Sequence, residues 1–65
     1  MNKTTQAAID RLKTQYKDDT EALELIERAE ADIEYIERKE ATGGYAGQTA
    51  AGKLQELEAF LHDWY

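Results

Sequence analysis

Two stretches of the chain carry apolar residues that alternate at spacings of four and three positions. This heptad spacing places apolar side chains along one face of an α-helix and is typical of helices that pack against each other. The first series is Ala22, Ile26, Ala29, Ile33 and Ile36, and the second is Ala50, Leu54, Leu57, Leu61 and Trp64. We therefore predict two helices, over about 19–41 and about 49–64, that form an antiparallel hairpin.

A weaker apolar stripe precedes this hairpin. Ile9, Leu12 and Tyr16 have helical spacing and predict a short N-terminal helix over about 5–17. Thr4 or Thr5 has the side-chain oxygen that an N-cap needs. Because so narrow a stripe cannot stabilise an isolated helix, we expect this segment to dock on the hairpin.

The join between the first and second helices contains neither glycine nor proline. Asp18, Asp19 and Thr20 each favour a helix start there. In a continuous helix, Asp19 would occupy a seam position, where a charge costs stability unless it is paired. The sequence therefore favours a short turn over one continuous rod.

The composition supports an all-α fold in one small domain, 1–65. Proline, valine and cysteine are absent from the 65 residues, and strong helix formers dominate. A chain of this size without disulfides is marginally stable alone. The two seams, together with the aromatic residues, exceed what one short chain covers easily. We therefore expect self-association, most simply a dimer that forms a helical bundle.

The four glycines all fall between positions 43 and 52. Gly43 suits a left-handed residue after the second helix, and Thr49 suits the N-cap of the third. The letters GQTAAGK imitate a phosphate-binding P-loop, but Leu54 replaces the required hydroxyl and a helix, not a strand, precedes the glycines. A softer alternative is a nucleotide or small anion held at the loop 43–53. Its candidate ligand residues are Gly43, Gly44, Tyr45, Gln48, Thr49 and Lys53.

Acidic residues dominate the second helix. The chain has a net charge of −6, which disfavours direct binding to nucleic acid or to an anionic membrane. The candidate acidic face consists of Glu21, Glu24, Glu27 and Glu30. One alternative function is a DNA mimic, whose carboxylates would occupy a nucleic-acid-binding protein.

Catalytic chemistry finds little support in the sequence. The chain has no cysteine, no serine and a single histidine, His62, so a nucleophile with an arranged base is not indicated. We expect no enzyme activity and no cofactor or metal. The first residues contain no apolar run typical of a secretory signal, so we expect a cytoplasmic protein.

These features together predict a small acidic, non-enzymatic interaction module. We expect a homo-oligomeric inhibitor or adaptor that binds a larger protein. The small size and the acidity of the chain would fit such a protein carried by a phage or a mobile element. Aromatic residues are enriched in interface hot spots. The candidate interface residues are Ile26, Ile33, Tyr35, Ile36, Leu57, Phe60, Leu61, Trp64 and Tyr65.

Overall fold

The computed structural model describes residues 1–64, and this part of the chain folds into three α-helices. They are α1 (Lys3–Gln15), α2 (Thr20–Ala41) and α3 (Ala50–His62). Helix α2 packs against both of the others, so the predicted all-α hairpin with a short N-terminal helix is confirmed. The candidate interface residue Tyr65 lies outside the described residues.

Helix α1 begins two residues earlier than predicted, and its N-cap is Asn2 rather than Thr4 or Thr5. The Asn2 side chain accepts a hydrogen bond of 2.8 Å from the Thr5 amide. Asn2 also donates from its backbone and side-chain nitrogens to Glu37 Oε2 on α2. Asparagine is a strong capping residue, and this contact across the helices fixes it in place. Thr5 is instead buried.

A short turn separates α1 from α2, as predicted. Asp19 is the N-cap of α2, and its Oδ1 accepts a hydrogen bond of 3.1 Å from the Ala22 amide. The amide of Asp19 donates to the carbonyl of Tyr16 at 2.9 Å, which closes the turn. The chain therefore reverses direction here without a glycine.

The end of α2 confirms the predicted role of Gly43. Its φ of +80° is in the left-handed region, where glycine carries no steric penalty. The amides of Gly43 and Gly44 donate to the carbonyls of Glu40 and Lys39. These bonds satisfy carbonyls that the end of a helix would otherwise leave unpaired.

The core lies between the three helices and consists of the predicted seams. Leu54 and Trp64 are only partly buried and pack at its edge, together with Leu12 and Tyr16 of the N-terminal segment. One chain therefore covers most of both seams by itself, and self-association stays a prediction. The buried apolar residues are Ile9, Ala22, Ile26, Ala29, Ile33, Ile36, Ala50, Leu57 and Leu61.

Two hydrogen bonds fasten the end of α3 to the turn between α1 and α2. The Tyr16 hydroxyl donates to the Leu61 carbonyl at 3.0 Å. The Trp64 indole Nε1 donates to Asp19 Oδ2 at 2.8 Å. Asp19 thus caps α2 with one carboxylate oxygen and holds Trp64 with the other.

Candidate interaction surface

Contacts within the chain engage several polar groups of the glycine-rich loop and of the start of α3. The Thr49 hydroxyl accepts a hydrogen bond of 3.0 Å from the Gly52 amide, which makes Thr49 the N-cap of α3, as predicted. The ammonium of Lys53 lies 3.9 Å from carboxylate oxygens of both Asp32 and Glu56. Lys53 is therefore directed toward acidic groups on α2 and α3.

Other candidate ligand residues of the loop are also engaged locally. The exposed Tyr45 donates its hydroxyl proton to the Gly47 carbonyl at 3.0 Å, and Gln48 is half-buried. Together with the capping roles of Gly43 and Gly44, these contacts favour a structural role for the loop. A nucleotide or anion bound there remains a prediction from the sequence alone.

The acidic face of α2 is not uniform. Glu21, Glu24 and Glu27 are exposed, whereas Glu30 is half-buried and accepts a hydrogen bond of 2.7 Å from Lys13 Nζ on α1. This hydrogen bond raises the pKa of the Lys13 ammonium above its usual 10.5. The free acidic face therefore ends at Glu27, and Glu30 joins α1 to α2.

The candidate interface residues divide into core and surface. Tyr35 is 53% exposed and Phe60 is 51% exposed, while Trp64 is half-buried with its ring 5.6 Å from that of Phe60. Since the other described candidates form the chain's own core, they are not available to a partner in this fold. The candidates in the core are Ile26, Ile33, Ile36, Leu57 and Leu61.

An apolar groove runs between α2 and α3. It has a volume of about 240 Å³. Its apolar lining consists of Leu25 and Ala29 from α2 and of Leu57 and Phe60 from α3. Phe60 forms one wall and is exposed over half its surface, so the groove is open to a neighbouring molecule.

Four charged residues surround this groove: Arg28, Asp32, Lys53 and Glu56. They amount to two cations and two anions, so the rim has no net charge in a chain of net charge −6. The carboxylates of Asp32 and Glu56 are largely exposed. Among residues 1–64, Arg28 forms no ion pair, so its guanidinium is available to a partner.

The sequence interpretation identified only part of this groove. Leu57 and Phe60 were among the candidate interface residues and Lys53 among the loop residues, but Arg28, Asp32 and Glu56 were in neither set. A signal was present, because Leu25 and Phe60 each immediately precede a seam residue, Ile26 and Leu61. Both therefore lie on the same flank of their seams, and antiparallel packing brings those flanks together.

The described residues contain no metal-binding cluster and no membrane-spanning helix, and their one histidine is exposed. The His62 ring lies 3.4 Å from the Asp63 carboxylate, and both side chains are almost fully exposed. Within residues 1–64, no cluster of three histidine or acidic side chains could hold a metal ion. No helix among those residues has the length and apolar character needed to cross a bilayer.

Comparisons with known proteins return no relative. Searches against family models, curated proteins and solved structures found no match to this chain.

Proposed function

We propose that this protein is a small non-enzymatic interaction module that associates with itself and binds a larger protein as an inhibitor or adaptor. The observation that carries the proposal is the outward face of α2. This helix has 22 residues, and the side opposite its seam carries exposed acids followed by a half-exposed tyrosine, Tyr35.

The centre of this face is a line of residues along the helix. Glu24, Arg28, Ala31 and Tyr35 recur at helical spacing and point away from the core, and the exposed Glu21 and Glu27 flank this line on its two sides. Exposed acids at Glu21, Glu24 and Glu27 would attract a basic surface and raise the association rate. The binding partner is therefore expected to be a protein with a basic patch.

Tyr35 supplies an apolar contact area that the charged residues of this face lack. Its ring contributes little to the core because more than half of its surface is exposed. A tyrosine combines a large apolar area with few rotatable bonds, so it loses little entropy when a partner covers it. Arg38, Lys39 and Thr42 border the same shallow depression and add polar contacts around the ring.

Site-specific photocrosslinking in the native host cell would test this role. A photoreactive phenylalanine analogue at position 35 should give one discrete crosslinked protein larger than this chain. The matched control places the same analogue at Ala7, which is exposed on α1. Identical products from the two positions, or none from position 35, would contradict the proposal.

Binding measurements with the purified partner then separate the contribution of the Tyr35 ring from that of the charges. Tyr35→Ala should weaken binding by about tenfold or more, whereas Tyr35→Phe should retain most of it. Replacing Glu21, Glu24 and Glu27 with Gln should mainly slow association at low salt. A DNA mimic would instead lose nearly all binding with these charge changes and keep it in Tyr35→Ala.

A further inference from the structure

We infer that the α2–α3 groove is the self-association surface and that a second copy of this chain occupies it. The two copies would be related by a two-fold axis that runs along the helices. Helix α2 of each copy would then lie over α3 of the other. This inference rests on the self-association included in the proposed function and specifies its surface and geometry.

The groove lies on the side of the hairpin that α1 leaves open. Glu30 faces α1 through Lys13, whereas Asp32 borders the groove. Residues two apart in an α-helix point about 200° apart, so these two contacts lie on opposite sides of α2. Helix α1 covers one side of the hairpin, and the apolar side chains of the groove remain open on the other.

The charges around the groove alternate in sign. Lys53 lies beside Asp32 across the groove at 3.9 Å. Because α2 and α3 are antiparallel, one turn forward along α3 from Lys53 corresponds to one turn back along α2 from Asp32. Glu56 of α3 therefore lies at the level of Arg28 of α2. Each level of the groove therefore has one cation and one anion, and the order is reversed between the two levels.

This alternating pattern is complementary to itself. A two-fold axis along the helices places α2 of one copy opposite α3 of the other at the same level. Arg28 then meets the second copy's Glu56, and Asp32 meets the second copy's Lys53. An isologous interface requires such self-complementarity, because the same patch serves both partners.

The charge distribution of the chain favours a second copy over a basic partner at this surface. The rim has no net charge, so two acidic chains can meet here without the repulsion that other faces of α2 would produce. Helix α2 has a net charge of −5 and α3 of −1. Stacking α2 over α3 therefore costs less repulsion than stacking α2 over α2.

The apolar lining supplies the attraction between the copies. Leu25 and Phe60 of each chain would pack into the groove of the other and bury surface that is now exposed. The four central helices, two from each copy, would form a bundle with antiparallel neighbours. Helix α1 would lie on the outside of each half.

Sedimentation velocity over a concentration series tests the arrangement with charge-reversal variants of the full chain. The wild-type protein should sediment as a dimer, with twice the 7.4 kDa mass of one chain. Arg28→Glu and Glu56→Arg should each weaken dimerisation by about tenfold, because each places like charges opposite one another at two symmetric contacts. The double variant should dimerise within about threefold of the wild type.

Two controls share the chemistry of these variants but lie away from the groove. Arg11→Glu makes the same charge change on the exposed face of α1 and should leave dimerisation unchanged. Phe60→Glu should weaken the dimer by tenfold or more, whereas Tyr45→Glu, at the exposed tyrosine of the loop outside the groove, should not. Circular dichroism checks that each variant keeps its helices.

The possible failures are distinct. A wild-type protein that stays monomeric overturns both this inference and the self-association in the proposed function. A dimer that all groove variants retain overturns the groove as its surface and leaves self-association in place. Single variants that weaken the dimer without rescue in the double variant overturn the placement of α2 over α3.

Discussion

Trp64 and Asp19 form a hydrogen bond of 2.8 Å that joins the end of α3 to the start of α2. The other oxygen of the same carboxylate caps α2 by accepting from the Ala22 amide. One side chain therefore satisfies a free helix amide and also positions the C-terminal aromatic residue. The start of α2 and the docking of α3 depend on the same carboxylate.

Asp19→Asn separates these two functions. Asparagine caps a helix as well as aspartate does, but its amide group cannot accept from Trp64 while its oxygen caps α2. We expect a loss of about 1–2 kcal/mol in the free energy of unfolding, measured by urea denaturation followed by circular dichroism. Asp18→Asn, at the exposed neighbouring position, should change it by less than about 0.5 kcal/mol. Equal effects of the two changes would contradict the assigned contact.

Ile33 tests the core between the helices. It is fully buried, so Ile33→Ala removes apolar contacts and leaves a cavity. The expected loss is about 2–5 kcal/mol, which is enough to unfold much of so small a domain, whereas Ile33→Val should cost about 1 kcal/mol. Thermal unfolding at one fixed protein concentration measures both, and an Ile33→Ala variant as stable as the wild type would contradict this packing.

Gly43 tests the loop between α2 and α3. An L-residue at its φ of +80° is strained, so Gly43→Ala should lower the free energy of unfolding by about 1–2 kcal/mol. Gly43→Asn should cost less, because asparagine tolerates this conformation. A D-alanine placed here by chemical synthesis should cause no loss, and the same loss from D- and L-alanine would rule out backbone strain as the cause.

Lys13 tests the junction of α1 and α2 through pH. Its hydrogen bond to Glu30 raises the pKa of the ammonium in the folded chain, so the protonated form is favoured by folding. This contribution is fully present below the unfolded pKa of about 10.5 and is lost as pH rises through the higher folded value. Its size is modest because solvent reaches about a third of the side chain.

The measurement compares wild type with Lys13→Gln, by urea denaturation from about pH 9 to pH 12. The difference in the free energy of unfolding between the two proteins should shrink over this range. Taking the difference removes the pH effects that both proteins share. Lys17→Gln, at an exposed position after α1, is the matched control for the loss of one positive charge. A difference for Lys13→Gln that is constant with pH would contradict the predicted linkage.

Local signals in the sequence predicted most of the fold. The seam spacing located α2 and α3, and Thr49 and Gly43 were correctly assigned because capping depends on neighbouring residues. The Asn2 cap was missed although its bond with the Thr5 amide is local, and only the contact of Asn2 with Glu37, 35 positions away, lies beyond local signals. The groove was only partly anticipated, since its charged rim exists only once Lys53 of α3 meets Asp32 of α2.

The hydrogen bonds that fasten the end of α3 also have a consequence for the order of folding. Those of Tyr16 with Leu61 and of Trp64 with Asp19 each join residues 45 positions apart. The pair of Lys13 with Glu30 spans only 17 positions. Because the entropic cost of closing a loop grows with its length, we expect the contact of α1 with α2 to close at a lower entropic cost than these contacts at the end of α3. We therefore expect the end of α3 to dock on the turn after α1 has met α2.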